Sequence, residues 1–177
     1  METVSSRVVY RNPWMTVRED AVRHPDGSAG IYGVVEKPDF ALVLPRWSGG
    51  FWLVEQFRYP VGRRAWEFPQ GSWSSAGTGD PVELARQELA EETGLRAVEM
   101  VHLGHLFAAY GLSTQGFDVF LATGLTEGAP DREISEQDMQ HRAFADQEVE
   151  QLIVTGQLVD APSLAALTLF RLQSDVS

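Results

Sequence analysis

The alternation of hydrophobic and polar positions predicts strands through the first half of the chain and interspersed helices later. Turns are predicted at PDGS (residues 25–28) and SGG (residues 48–50). The predicted strands cover residues 8–10, 17–23, 31–36, 40–45, 51–57, 98–108, 117–122 and 139–144. Two helices are predicted near the end of the chain, at residues 146–155 and 162–172. This order favours an α+β sandwich over a doubly wound parallel sheet.

Two segments lack a regular pattern. RYPVGRRAWEFPQGSW, at residues 58–73, is aromatic and interrupted by Pro and Gly, which favours a shaped loop over a helix or strand. SSAGTG, at residues 74–79, contains only small residues and is predicted to be a flexible segment.

Between these segments and the later strands, DPVELARQELAEETGL (residues 80–95) predicts a helix with defined ends. Asp80 suits the N-cap, Pro81 suits the first helical position, and Gly94 suits the C-terminal stop. One side of the helical wheel is the side predicted to pack, and it carries Val82, Ala85, Leu89 and Thr93.

Three carboxylates, Glu88, Glu91 and Glu92, lie together beside that packed side, within about 100° of arc. On charge alone, two interpretations stay open. If the edge is exposed, like-charge pairs cost only about 0.2–0.5 kcal/mol each, and a stable fold tolerates them. If the edge lines a cleft, the repulsion is about 3 kcal/mol at an effective dielectric near 20, and a hard divalent cation would relieve it.

Composition narrows the possible functions. The 177 residues suit one domain, and 44% of them are hydrophobic, which is enough for a sizeable core. The net charge of −11 argues against unassisted binding to nucleic acid or an anionic membrane, although a metal ion can invert the local field for a small phosphorylated substrate. Without cysteine, thiol catalysis and disulfides are excluded. No apolar run has signal-peptide or membrane-span length, so we expect a cytoplasmic protein.

The sequence around the three carboxylates resembles the signature of the Nudix hydrolases. That signature runs Gly, five residues, Glu, seven residues, then Arg-Glu-apolar-any-Glu-Glu-any-Gly-apolar. WEFPQG (residues 66–71) supplies the first glycine, Gly71, and ELAEETGL (residues 88–95) matches the end. The matching residues there are Glu88, Leu89, Glu91, Glu92, Gly94 and Leu95.

The resemblance covers nearly the whole chain, because the order of strands and helices also agrees. It implies a single domain with the Nudix α/β/α sandwich and a mixed sheet. Within that domain, about residues 1–36 would form an N-terminal antiparallel β extension, and about residues 37–177 would form the catalytic core.

The match has two departures. Gly71 lies two residues too far from the glutamate-rich end, so the signature's first Glu aligns with Gly79, with Asp80 beside it as a candidate substitute. The signature's Arg aligns with Gln87, which can hydrogen-bond a carboxylate but brings no charge. Arg86 points roughly 160° away from Glu88 on the wheel, so it cannot take the place of the signature's Arg without a change of register.

The resemblance implies hydrolysis of a nucleoside diphosphate linked to another group, by water and with magnesium or manganese ions. It makes Glu88 and Glu92 the first metal ligands, Glu91 a third, and the Gly71 carbonyl a fourth. The catalytic candidates are Glu91, as general base, with Glu88 and Gln115.

QFRYP (residues 56–60) and WEFPQG resemble the branch that cleaves ADP-ribose and nucleotide sugars. By that resemblance Arg58 binds the phosphate or the ribose of the substrate; the alternative is that it is only a surface charge. Glu67 forms hydrogen bonds either with the substrate or within its own loop. Trp66 and Trp73 either stack on a base or pack in the core.

The loop AAYGLSTQGFD, at residues 108–118, departs from the pattern of ADP-ribose enzymes. Tyr110 stands where they carry Pro, and is reminiscent of diadenosine polyphosphate hydrolases; we count it as a substrate-binding candidate. Gln115 stands where they carry Glu, and it cannot act as a base. His102 and His105 lie in an apolar run and are interpreted as structural or surface residues.

The sequence therefore predicts a metal-dependent Nudix pyrophosphohydrolase acting on ADP-ribose or a related nucleotide sugar. The alternatives are a dinucleoside polyphosphate hydrolase and a catalytically weak Nudix module that binds a nucleotide for regulation. The predicted partners are the small nucleotide and a second copy of the chain, with no nucleic acid and no membrane. The homodimer is expected to form through the N-terminal strands, around residues 4–23.

Overall fold

The computed structural model describes residues 1–73, 79–131 and 137–174. These residues form ten strands, three α-helices and one 3₁₀ turn at Tyr59–Val61. The strands are β1 (Glu2–Arg11), β2 (Thr16–Arg23), β3 (Ala29–Glu36), β4 (Phe40–Trp47), β5 (Gly50–Arg58), β6 (Arg63–Glu67), β7 (Gln70–Ser72), β8 (Arg96–Phe107), β9 (Gly116–Thr126) and β10 (Gln140–Ala145). The helices are α1 (Pro81–Thr93), α2 (Asp146–Val154) and α3 (Ala161–Ser174). No helix in these ranges is long and apolar enough to cross a membrane.

The larger sheet is mixed. Its strands follow the order β10-β5-β4-β9-β8, with β6 added to β5 and β7 added to β4. β4 and β9 run parallel, whereas the other pairs are antiparallel. The predicted mixed sheet is confirmed.

Strand β4 is buried on both faces, which explains its continuous apolar sequence. Because successive side chains of a strand point to opposite faces, Leu42 and Leu44 join a core that α2 and α3 complete. Ala41 and Val43 join a second core, completed by α1. The helices therefore cover both faces of the sheet, as in an α/β/α sandwich.

Strands β1, β2 and β3 form a separate antiparallel sheet, in agreement with the predicted N-terminal extension. Every residue of β1 is exposed. Of the charged residues on β2, only Asp20 is buried, and it is ion-paired with Arg18. This small sheet adds little to the main core.

Residues 58–73 differ from the predicted loop. They contain β6, which pairs with β5 from Arg58↔Arg63 to Val54↔Glu67, and β7, which pairs with β4. Pro60 and Gly62 mark the tight turn between β5 and β6, where Gly62 has a φ of 66°, whereas Pro69 lies between β6 and β7 and Gly71 lies within β7. Pairing with distant strands therefore overrides the irregular local pattern.

Helix α1 has the predicted ends. Oδ1 of Asp80 accepts a hydrogen bond from the amide N of Val82 at 3.1 Å, and Gly94 ends the helix with a φ of 75°. Asp80 thus acts as the helix cap, and its part as a substitute for the signature's first Glu stays a prediction. Most of the segment predicted to be flexible, residues 74–78, lies outside the described residues.

Candidate active site

A cleft of about 520 Å³ opens where β4, β6 and β7 meet the start of α3. Its walls come from segments that are far apart in the sequence. They include Lys37, Phe40, Arg58, Pro60, Val61, Ala65, Glu67, Gln70, Gly71, Ser72, Ala108, Gln115, Val159, Asp160, Ala161 and Pro162.

The carboxylates of Glu88 and Glu92 lie under the β7 wall of the cleft. Oε2 of Glu92 accepts a hydrogen bond from the amide N of Gln70 at 3.2 Å. The carboxylate of Glu88 lies against Gly71, where a Cβ atom would come within 2.4 Å of its Oε2. A Cβ atom at position 71 would therefore displace this carboxylate.

The burial of these two side chains corrects one expectation from the sequence. Glu88 is 9% exposed and Glu92 is 0% exposed, so they are packed with the apolar side of α1 and do not form an edge beside it. The helical wheel shows which residues share a side of the helix. It does not show how much of that side the sheet covers.

Glu91 has a different environment from the other two glutamates. It is half-buried, and its Oε1 accepts a hydrogen bond from Nε2 of Gln87 at 2.9 Å. Gln87, in the place of the signature's Arg, therefore holds Glu91 by a neutral hydrogen bond. Arg86 donates to the carbonyl of Ala97 at 3.0 Å, away from the carboxylates, in agreement with its predicted direction.

Arg58 and Glu67 form an ion pair in the wall of the cleft. Nε of Arg58 donates to Oε2 of Glu67 at 3.0 Å, and Nη2 of Arg58 bonds Oε1. Nε2 of Gln56 also donates to Oε1, at 2.8 Å. Glu67 is 2% exposed, and its burial raises the pKa of the carboxyl above its usual range, against the opposing hydrogen bond and charge of Arg58. The side chain of Arg58 is 41% exposed, so part of the guanidinium borders the cleft.

Asp160 is a residue of the cleft that the sequence analysis missed. Its Oδ2 accepts hydrogen bonds from Nε2 of Gln70 at 3.1 Å, and from the amide N and Oγ of Ser163 at 2.9 and 2.7 Å. Ser163 in turn accepts from the amide N of Phe68 at 3.0 Å. Asp160 therefore ties the WEFPQG segment to the start of α3. Asp160 and Ser163 are three residues apart, a spacing typical of a helix N-terminus, so the sequence itself could have indicated this contact.

The β8–β9 loop forms another wall and is joined to the segment before β4. Nε2 of Gln115 donates to the carbonyl of Pro38 at 2.8 Å, and the amide N of Gly116 donates to Oδ1 of Asp39 at 2.7 Å. The predicted site residue Gln115 thus lines the cleft, but its amide nitrogen is bonded to the backbone.

A family model described as "NUDIX domain" matches residues 36–166. The chain belongs to the Nudix family. A second model, "Nucleoside diphosphate sugar hydrolase N-terminal domain", matches residues 1–35, which comprise β1, β2 and nearly all of β3. The family predicted from the signature is therefore confirmed.

Two relatives span most of this Nudix chain. An "ADP-ribose pyrophosphatase" of Mycobacterium tuberculosis (strain ATCC 25618 / H37Rv) is 34% identical over 168 residues, which cover 94% of this chain and 81% of the relative. An "ADP-ribose pyrophosphatase" of Bacillus subtilis (strain 168) is 27% identical over 138 residues, covering 77% and 74%. A solved structure, "Crystal structure of ADP compounds hydrolase", superposes with a TM-score of 0.83 at 18% identity, covering 96% of this chain and 91% of that one. That likeness supports the fold.

The residues under the cleft fit the divalent ion that Nudix chemistry implies. Carboxylate oxygens are the ligands that hard divalent cations prefer, and the absence of a Cβ atom at Gly71 lets the carboxylate of Glu88 lie against β7. Within residues 1–73, 79–131 and 137–174, no three acidic or histidine side chains form a ready-made metal cage. Magnesium is commonly held by one or two carboxylates together with substrate phosphates, so this arrangement suits it.

The aromatic candidates lie outside the cleft. Tyr110 is 86% exposed and borders a neighbouring hollow. Trp66 packs edge-on against Phe144 with ring centroids 4.7 Å apart, and Trp73 packs against the α1 side of the core. These contacts agree with core packing for the two tryptophans.

His102 and His105 lie beside a carboxylate that the sequence analysis did not connect with them. Nε2 of His102 is 2.8 Å from Oδ1 of Asp118, and Nδ1 of His105 is 3.4 Å from the same oxygen. Antiparallel pairing of β8 with β9 brings the three side chains together. The cluster is not part of the cleft wall.

Proposed function

We propose that this protein hydrolyses the diphosphate bond of ADP-ribose or of a related nucleoside diphosphate sugar. The observation that carries the proposal is a cleft bordered by the half-exposed Arg58, with the buried Glu88 and Glu92 directly behind its β7 wall. The predicted class, a Nudix pyrophosphohydrolase, agrees with both ADP-ribose pyrophosphatase relatives and with the family model of the N-terminal residues.

We propose magnesium or manganese as the metal, held by Glu88 and Glu92 with Glu91 and the Gly71 carbonyl as further ligands. The metal supplies charge neutralisation at the phosphates and a lower pKa for the attacking water. The fit of Glu88 against Gly71 supports the first of these assignments.

In this proposal Arg58 orients the anionic substrate. The ion pair with Glu67 fixes the guanidinium by two hydrogen bonds and leaves part of it at the cleft. A planar guanidinium bonds phosphate oxygens with defined geometry, so Arg58 would align the diphosphate. Glu67 is thereby a positioning residue for Arg58.

We propose Glu91 as the general base, because Gln115 cannot accept a proton at its amide. Glu91 lies on the same helix as Glu88 and Glu92, and its hydrogen bond from Gln87 holds the carboxylate in one orientation. Tyr110 keeps its predicted role in substrate binding as part of the proposal, although it borders the adjoining hollow.

The test is a substrate screen with magnesium and then with manganese, with products resolved by chromatography. We expect AMP and ribose 5-phosphate from ADP-ribose, and loss of turnover when EDTA is added. A preference for dinucleoside polyphosphates would replace the proposed substrate with the first alternative. Tight nucleotide binding without products would favour the regulatory module.

We also propose a homodimer that forms through the N-terminal sheet. Strand β1 is exposed along its whole length and presents Val4, Val8 and Tyr10, which are 57%, 54% and 53% exposed. Such strands are commonly covered by pairing with another chain. The cytoplasmic location stays a prediction from the sequence.

A further inference from the structure

Lysine occurs once in this sequence, at Lys37, and that residue lines the candidate cleft. It lies between β3, which ends at Glu36, and β4, which begins at Phe40.

Carboxylates lie in and behind the walls of the cleft. Glu67 and Asp160 are in its walls, and Glu88 and Glu92 lie directly behind Gln70 and Gly71. Arg58 is already paired with Glu67. Within the described part of the chain, Lys37 forms no ion pair with any carboxylate, so its charge is available to an anion that enters the cleft.

The backbone that carries Lys37 is held in place by the β8–β9 loop. On one side of Lys37, the carbonyl of Val35 accepts from the amide N of Thr114 at 3.0 Å and from Oγ of Ser113 at 2.9 Å. On the other side, the carbonyl of Pro38 accepts from Nε2 of Gln115 at 2.8 Å. A residue flanked by hydrogen bonds on both sides loses less backbone freedom when it binds a ligand.

We propose that Lys37 binds the diphosphate of the substrate, and that Gln115 is a positioning residue that acts on it through the Pro38 carbonyl. The proposal rests on the proposed function for the identity of the anion. It gives Gln115 a role that needs no proton transfer, in keeping with an amide in the place where relatives of the ADP-ribose branch are expected to carry a carboxylate. The ammonium is a compact, flexible point charge, so Lys37 would contribute mainly to substrate affinity.

The first experiment measures KM and kcat separately. Lys37→Gln should raise the KM for ADP-ribose by about tenfold, as for the loss of one charge-assisted hydrogen bond, and change kcat by only a few-fold. Lys37→Arg should restore most of the affinity. Arg96→Gln removes an exposed cation outside the cleft and serves as the matched control. An unchanged KM in a folded Lys37→Gln variant would overturn the proposal.

A double-mutant cycle tests the link to Gln115. Gln115→Ala should raise KM several-fold in the wild-type background and have little further effect in the Lys37→Gln background. Equal effects in both backgrounds would overturn the positioning role, because they would show that Gln115 acts independently of Lys37.

A readout without turnover uses the single lysine directly. Reductive methylation with ¹³C-formaldehyde labels Lys37 and the N-terminal amine and keeps both charges, and Lys37→Arg identifies the lysine signal in the NMR spectrum. In EDTA, ADP-ribose should shift that signal and adenosine should not. If ADP-ribose is hydrolysed but the signal does not move, the Lys37 proposal fails and the proposed function stands. If the signal moves but ADP-ribose is not hydrolysed, the proposed function fails and the anion site stands.

Discussion

Replacing Glu92 with glutamine removes one negative charge from the site and leaves the shape of the side chain almost unchanged. Glu92 is 0% exposed, and its Oε2 accepts a hydrogen bond from the amide N of Gln70 at 3.2 Å. The amide oxygen of glutamine can accept the same bond. The perturbation is therefore a change in charge at a fixed position under the cleft.

The expected effect on folding is small. A hydrogen bond to a charged acceptor contributes about 1 kcal/mol more than a neutral one, and this is lost. Glu88 lies one helical turn away, and at a spacing of about 5–6 Å the relief of its repulsion is of similar or larger size. We therefore expect the free energy of unfolding to change by no more than about 1 kcal/mol, measured by urea denaturation.

The expected effect on catalysis is large. Glu92→Gln should lower kcat at least a hundredfold, equivalent to about 2.7 kcal/mol in the activation barrier. It should also weaken manganese binding, measured by paramagnetic resonance of the free ion. Glu83→Gln makes the same chemical change on an exposed position of the same helix and should keep full activity. A fully active, folded Glu92→Gln variant would show that Glu92 is not a metal ligand and would refute the reading of the signature.

Three further predictions concern the base, the glycine under the cleft and the assembly. Gln115→Ala should lower kcat/KM by about tenfold, whereas Glu91→Gln should lower kcat by about 10²–10⁴-fold. Gln115→Glu should raise the rate if the loop reaches the metals. Equal losses in kcat for Gln115→Ala and Glu91→Gln would show that Glu91 is not the base. Gly71→Ala should displace Glu88 and lower kcat by up to about a hundredfold, because its Cβ atom would come within 2.4 Å of Oε2 of Glu88. Gly33→Ala, where the Cβ meets nothing within 4 Å, should be neutral, and comparable activity of the two variants would contradict a role for the contact between Gly71 and Glu88. Light scattering at micromolar concentration should give the mass of a dimer, and a monomeric mass would count decisively against the pairing of β1.

Helix α1 shows what local sequence can predict. Its N-cap, its first proline and its terminal glycine act on neighbouring backbone groups, so Asp80, Pro81 and Gly94 define the ends without reference to the rest of the chain. The same holds for β4, where an apolar run of strand length reflects burial on both faces.

Strands β6 and β7 show where local sequence is insufficient. Each is five residues or fewer, and each is stabilised by pairing with β5 or β4 rather than by its own composition. The burial of Glu88 and Glu92 has the same origin, since it depends on Gln70 and Gly71 of β7. A short irregular segment with two Pro and two Gly residues does not reveal such pairing.

The metal-binding carboxylates and the walls of the cleft differ in how far local sequence predicts them. This difference explains why the sequence predicted the family more readily than the substrate. The carboxylates that would hold the metal lie on one helix, within five residues, and form a motif that a single sequence displays. The walls that would contact the rest of the substrate are joined over long separations: Gln70 bonds Asp160 across 90 residues, and Gln115 bonds Pro38 across 77. Hydrophobic periodicity and motif spacing do not predict hydrogen bonds between residues so far apart in the sequence. Substrate preference in this fold is therefore a property of the tertiary arrangement, and variants of Lys37, Asp160 and Gln115 should alter it more readily than variants of the helix.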